Sequence, residues 1–170
     1  MTEPATPISQ SDLKIQEKTA SSAVVSATRN DGKMEFYNAS ELKPKRELTI
    51  DIRVRYTDCD PMRVVHHSKY FVYFEMARTE LYRANGGSHA ELEEKGHFFV
   101  VVRTDCHYIR PALYDDIIQV NIKVERVTRA KIIHRYEIWR DGELLTEAHI
   151  TLALINRDGQ VLPIPEDMNI

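Results

Sequence analysis

From Arg46 to Tyr56 apolar and polar side chains alternate, with Leu48, Ile50, Ile52, Val54 and Tyr56 set against Thr49, Asp51, Arg53 and Arg55. A period of two predicts a half-buried β-strand. The pattern changes after a polar knot, Thr57-Asp58-Cys59-Asp60-Pro61. Between Ser68 and Asn85 the residues Tyr70, Phe71, Val72, Tyr73, Phe74, Met76, Ala77, Leu81 and Tyr82 would occupy most sides of a helix, leaving Glu75, Arg78 and Thr79 as a narrow polar stripe. A helix so widely apolar has to be buried against a sheet. Asn85-Gly86-Gly87 stops it, and Ser88 is placed to cap a short helix, His89 to Lys95, that Gly96 ends.

Beyond Gly96 the pattern is that of strands: Phe98 to Tyr108, Ile117 to Val127, Lys131 to Arg140 and Leu144 to Ile155. In the second of these Ile118, Val120, Ile122 and Val124 face one way and Gln119, Asn121, Lys123 and Glu125 the other. Asp141-Gly142 is a hairpin signal, repeated by Asp158-Gly159. The expected architecture is α+β, an antiparallel five-stranded sheet wrapped around one long helix, which buries the apolar surfaces of both. Residues 1–45 are rich in Ser, Thr, Ala, Pro and charge and hold no sustained apolar period, which predicts a flexible tail ahead of a domain spanning 46–170. Within the tail only Ala23-Val24-Val25 is apolar enough to add a strand or to pack on a neighbouring subunit.

A length of 170 residues with 42% hydrophobic and 29% charged side chains fits one globular domain, and a net charge of −3 gives no basic excess to suggest nucleic acid. Cys59 and Cys106 form neither a disulfide framework nor a metal-binding pair of cysteines, so a reducing cytoplasm is the expected compartment. The start of the chain lacks the basic-then-apolar layout of an export signal, and no apolar run is long enough to span a membrane.

The chemistry concentrates in the segment from Arg55 to Tyr70, where two acids and two histidines precede the long helix. A carboxylate beside a helix N-terminus suits acyl transfer, because the unpaired backbone N–H groups and the helix dipole favour negative charge developing on a carbonyl oxygen. Asp58 and Asp60 also suit a plain turn ahead of Pro61, since Asp restrains its own backbone. Two further readings use the same residues: a metal held by Asp58, Asp60, His66 and His67, and a thiolate nucleophile at Cys59. The spacing matches no known helical His pair, and Cys59 has no evident third group to orient a base beside it.

The run Tyr56-Thr57-Asp58-Cys59-Asp60-Pro61, then Val64-Val65-His66-His67-Ser68-Lys69-Tyr70, then Phe74-Glu75-Met76-Ala77-Arg78-Thr79-Glu80, resembles the 4-hydroxybenzoyl-CoA thioesterase family of hotdog proteins and its Tol-Pal-associated acyl-CoA thioesterase branch. The resemblance extends from about Glu47 to the C-terminus through Phe99 to Arg103, Arg110 to Asp116 and Glu147-Ala148. It implies a hotdog fold and hydrolysis of an acyl-CoA, with Asp60 as nucleophile or general base. His67 would polarise the thioester carbonyl through its backbone N–H, and His66 would flank that carbonyl. Many relatives carry glycine just after the catalytic acid, where this chain has Pro61-Met62-Arg63, so Met62 and Arg63 are expected to narrow the acyl entrance or to bring a charge to it.

Val65 and Tyr70 are the expected acyl contacts. Glu75 would position water or the loop, unless it simply pairs with Arg78 one turn away. The coenzyme phosphates point to exposed cations, with Arg129 and Lys131 (beside Arg126) the candidates at the turn between two strands, although a solvated charged turn reads the same way. Arg103 is a further candidate that Asp105 would pair. No cofactor is expected, and the family implies a homodimer or homotetramer. Two rival functions are a hotdog module that binds acyl-CoA without cleaving it and an enzyme acting on acyl carrier protein thioesters.

Overall fold

The apolar segment forms a helix, Lys69–Ala84 (α1), whose buried residues Tyr70, Tyr73, Phe74, Ala77 and Leu81 recur at three- and four-residue spacing. Gly86, at φ 78, supplies the left-handed residue that closes its C-terminal end. A one-turn helix follows, His89–Glu94 (α2), capped by the Ser88 hydroxyl accepting from the N–H of Glu91. These elements come from a computed structural model that describes residues 25–30, 33–38 and 44–165.

Two strands, Val25–Asn30 (β1) and Lys33–Asn38 (β2), pair antiparallel with Val25 opposite Asn38. They lie inside the stretch expected to lack regular structure. The alternation there is too short to stand out: Val25 and Ala27 in β1, Met34 and Phe36 in β2, before Tyr37 breaks it. Val25 is in β1, while Ala23 and Val24 lie outside the described residues. The hairpin belongs to a unit of chain, Met1–Lys43, separate from Pro44–Ile170.

In the larger unit the strands are Glu47–Arg53 (β3), His97–Tyr108 (β4), Ile117–Val127 (β5), Lys131–Arg140 (β6), Glu143–Asn156 (β7) and Val161–Leu162 (β8). They form one antiparallel sheet in the order β3-β5-β6-β7-β4, with β8 added on β7. The fold is a hotdog, α+β, with α1 lying against the sheet. The sheet has six strands rather than five. Asn156 Oδ1 accepts from the N–H groups of Asp158 and Gln160, which turns the chain back so that Val161 meets Ile155. The first strand also stops at Arg53 instead of continuing to Tyr56, because a 3-10 turn, Tyr56–Asp58, follows and leaves Tyr56 79% exposed.

The core lies between α1 and one sheet face. Ile118, Val120, Ile122 and Val124 of β5 are buried in alternation, as are Ile132, His134, Tyr136 and Ile138 of β6. Phe74 is fully buried against Tyr136, their ring centroids 4.7 Å apart. Phe74→Ala is expected to cost about 3–5 kcal/mol from lost burial and the remaining cavity. In urea unfolding this shows as a lower midpoint at unchanged slope.

Candidate active site

The loop between β3 and α1 is organised by Asp58, whose side chain is fully buried. Arg55 holds both carboxylate oxygens, Nε to Oδ2 at 2.9 Å and Nη2 to Oδ1 at 3.0 Å. The Tyr73 hydroxyl donates to Oδ2 at 3.0 Å, and Lys69 Nζ lies 3.7 Å from Oδ1. Burial by itself would raise the Asp58 pKa, but the Arg55 and Tyr73 hydrogen bonds and the Arg55 charge together hold it below its usual 3.8. The backbone carbonyl of Asp58 also accepts from the N–H of His66, at 2.9 Å, so one residue anchors both ends of the loop.

Asp60 sits in a tight turn of its own. Its N–H donates to the carbonyl of Val64, its carbonyl accepts from the N–H of Arg63, and Oδ1 accepts from the N–H of Met62 at 2.8 Å. Oδ2 takes no hydrogen bond among the described residues. The turn demands φ 66 at Arg63, a left-handed conformation that costs a non-glycine residue about 1–2 kcal/mol. Cys59 pairs with Val65 across the base of this turn, and Val64 pairs with Leu113 on the neighbouring segment.

The entrance to α1 is left open. Ser68 caps it without a side-chain hydrogen bond, and no acid occupies the first turn. His66 Nδ1 is taken up by Ser68 Oγ at 2.8 Å, and the His66 and His67 rings lie tilted at 37° with centroids 4.0 Å apart. The N–H of His67 meets no acceptor among the described residues, whereas its carbonyl accepts from the Tyr108 hydroxyl at 3.0 Å. Tyr108 packs edge-on against Tyr70 with centroids 5.2 Å apart, and Tyr70 Oη accepts from the N–H of Ala112 at 3.2 Å. Burial raises the pKa of both tyrosines, so both keep their protons at neutral pH.

These contacts outline an open cleft of ≈ 320 Å³. Of the residues singled out in the sequence, Asp60, Met62, Val65, His67 and Tyr70 line it. Arg63 lies between two lining residues, and His66 stands beside His67. Glu75 is not among the lining residues; it is exposed on α1, 3.9 Å from Arg78. Arg129 and Lys131 are also elsewhere, at the β5–β6 turn, where the carbonyl of Arg129 accepts from Ile164 and the N–H of Lys131 donates to Thr128 Oγ1. Arg103 faces Asp105 at 4.0 Å.

The far wall, Tyr108 to Pro111, was not anticipated. Its only signal was the turn-forming run that begins at Arg110-Pro111, which says nothing of what it will face. The alternative readings of the loop do not fit this geometry. Asp58 is spent on Arg55 and Tyr73, and among the described residues no three His, Cys, Asp or Glu side chains are placed to hold a metal. Burial first, then the nearby charges of Asp58 and Asp60, push the Cys59 thiol pKa up, away from the thiolate.

Because folding lowers the Asp58 pKa, its contribution to stability is complete above pH about 4 and is lost as pH falls through the still lower folded value. Asp58→Asn should destabilise the protein at pH 7 by about 1–3 kcal/mol, the cost of unmaking a buried charge-assisted network. It should also flatten the acid limb of a plot of unfolding free energy against pH. An acid limb as steep as that of the unaltered protein would mean that some other carboxylate dominates it.

Comparisons with known proteins bear on the family of the chain. A model of the thioesterase-like superfamily matches residues 54–169. The acyl-CoA thioesterase YbgC of Haemophilus influenzae is 33% identical over 118 residues, covering 69% of this chain and 86% of that protein. The crystal structure of DHNA-CoA thioesterase from Staphylococcus aureus shares 30% identity at a TM-score of 0.66, over 71% of this chain and 81% of that one. A 4-hydroxybenzoyl-CoA thioesterase variant solved with 4-hydroxybenzoyl-CoA reaches a TM-score of 0.66 over 73% of this chain and 96% of its own; at 20% identity it speaks for the fold alone. The matched stretch opens on Val54 and takes in the Asp58–Asp60 loop, α1 and every strand from β4 to β8: the chain belongs to the thioesterase-like superfamily.

Proposed function

We propose that this chain hydrolyses acyl-CoA thioesters in the Asp60 cleft. The observation that carries the reading is that a backbone N–H at His67 and a carboxylate oxygen at Asp60, neither with a partner among the described residues, border the same cleft. The thioester oxygen would accept from His67 N–H at the start of α1, where the dipole and the open N-terminal donors favour the negative charge of a tetrahedral intermediate. Tyr108, bonded to the His67 carbonyl, keeps that turn in place. Met62, Val65 and Tyr70 supply the wall against which the acyl group lies, and His66 flanks the carbonyl.

Asp60 can act by two routes. As nucleophile it bonds to the thioester carbon, the C–S bond breaks, coenzyme A leaves as thiolate and takes a proton from solvent, and water then cleaves the mixed anhydride. As general base it takes a proton from a water whose oxygen attacks the carbon, and that proton goes on to the departing thiolate. Either route consumes one water and yields a free acid and coenzyme A. Glu75, Arg129 and Lys131 are assigned no step.

The assembly proposed is a homodimer. Strand β4 lies at the sheet edge, with Val101 53% and Val102 51% exposed, and Phe71, Val72 and Met76 leave apolar surface on α1 uncovered. An unpaired edge beside exposed apolar side chains favours a second copy. Cys59 and Cys106 are free thiols, which fits a cytoplasmic enzyme, and among the described residues no helix is long and apolar enough to cross a membrane.

Release of coenzyme A from benzoyl, phenylacetyl and aliphatic acyl-CoAs, followed with a thiol reagent, tests the reaction. Asp60→Asn is expected to lower kcat about 10²–10⁴-fold with binding kept; undiminished turnover would exclude Asp60 from the chemistry. A single turnover in ¹⁸O-water that leaves label in Asp60 establishes the nucleophilic route, with water attacking the Asp60 carbon of the mixed anhydride. Val101→Asp should turn the dimer into a monomer in light scattering, and a dimer that persists would place the interface elsewhere.

A further inference from the structure

Among the described residues three that are not glycine hold a positive φ: Arg63, Asp115 and Asp141. Asp tolerates this region because its short polar side chain hydrogen-bonds locally. Arg63 has no such relief. The turn it occupies is closed by backbone contacts, Arg63 N–H to the Asp60 carbonyl and Asp60 N–H to the Val64 carbonyl, and glycine would close it without strain. Turn geometry therefore does not account for an arginine here, and strain retained beside a catalytic acid points to a use for the side chain.

The surroundings narrow that use. Neighbouring cations of the loop are already engaged: Arg53 with Asp115, Arg55 and Lys69 with Asp58, and Arg110, on the cleft wall, with Glu143. Arg63 is exposed and, among the described residues, its guanidinium makes no ion pair or hydrogen bond. It lies three residues from Asp60, between Met62 and Val64, both of which line the cleft. A guanidinium at that point is a planar fork of donors shaped for a phosphate or a carboxylate. Resting on the thioesterase reading, we infer that Arg63 is a specificity determinant that binds an oxyanion of the substrate at the cleft mouth, either a phosphate of the coenzyme or a carboxylate carried by the acyl group.

Three variants test it. Arg63→Gly and Arg63→Asn suit the turn and remove the charge, while Arg63→Lys keeps both the charge and the strain. Ligands are titrated by calorimetry into protein carrying Asp60→Asn, so that binding is read apart from turnover. The probes are a neutral acyl-CoA, a carboxyl-terminated acyl-CoA, and the same two acyl groups on N-acetylcysteamine, which has no phosphate. Arg63→Gly should raise the melting temperature by roughly 2–4 °C and yet weaken binding about tenfold, with Arg63→Asn weakening it as much and Arg63→Lys recovering most of the loss. In the hydrolysis assay with Asp60 intact, the loss should fall on KM and leave kcat nearly unchanged.

A penalty seen with both coenzyme A thioesters and absent from the N-acetylcysteamine ones assigns the oxyanion to the phosphates. A penalty that follows the carboxylated acyl group on either carrier assigns it to the acyl end. Equal affinity of the Gly, Asn and parent proteins for all four ligands overturns the inference, as does a parent protein that binds none of them. Absence of turnover on every thioester by the protein with Asp60 intact would sink the hydrolytic reading instead, and the binding comparison would still decide the role of Arg63.

Discussion

The ion pair between Arg55 and the buried carboxylate of Asp58 is the contact on which the loop and cleft ahead of α1 depend. It ends β3 three residues earlier than the apolar alternation would, and it curls Tyr56–Asp58 into a 3-10 turn. Through Tyr73 it fastens that turn to the second turn of α1, and through the Asp58 carbonyl it fixes the N–H of His66 at the helix entrance. A buried charge of this kind is tolerable only when each of its oxygens is satisfied, and here both are. The stability it adds is secondary to the position it imposes.

The two acids of the loop thus divide the work by environment. Asp58 is sealed in, bonded on both oxygens and held ionised, which makes it a fixed point. Asp60, two residues on, is half exposed beside a cleft, with one oxygen steadied by the Met62 N–H and the other without a partner among the described residues. Identical side chains differ because Asp58 is enclosed by Arg55 and by Tyr73 of α1, whereas Asp60 sits in a turn that presents it. The sheet contributes a rigid support: with α1 packed on it through Phe74, Ala77 and Leu81, the helix N-terminus cannot drift from the loop that faces it.

Much of the fold was legible in the sequence, since it rests on periodicity. The alternation of Ile118, Val120, Ile122 and Val124 and the breadth of apolar surface on Lys69–Ala84 are local signals that buried elements have to carry. The β8 strand was not legible: two residues are too few to show a period, and the Asn156 turn that places them is set by side-chain hydrogen bonding. The hairpin at Val25–Asn38 escaped for a similar reason. In the site, Asp60 and the helix start were legible because chain order alone puts an acid next to a helix entrance. Tyr108 was not, since its bond to His67 joins positions 41 residues apart that only the folded sheet brings together. The exposed Glu75 and the β5–β6 turn carrying Arg129 and Lys131 show the opposite limit, in which suitable chemistry in the chain does not imply a place in the cleft.

The same long-range contacts bear on how the protein comes into being on the ribosome. The acid, the loop and α1 are complete once Ala84 has been synthesised, yet the opposite wall of the cleft arrives only with Tyr108 to Pro111, and Ala112 then ties off Tyr70. That wall is seated by β4, whose pairing partner β7 is made later still, ending at Asn156. An emerging chain therefore carries Asp60 and His67 without the opposite wall of the cleft until β4 is made, and without a closed sheet until β7 follows it.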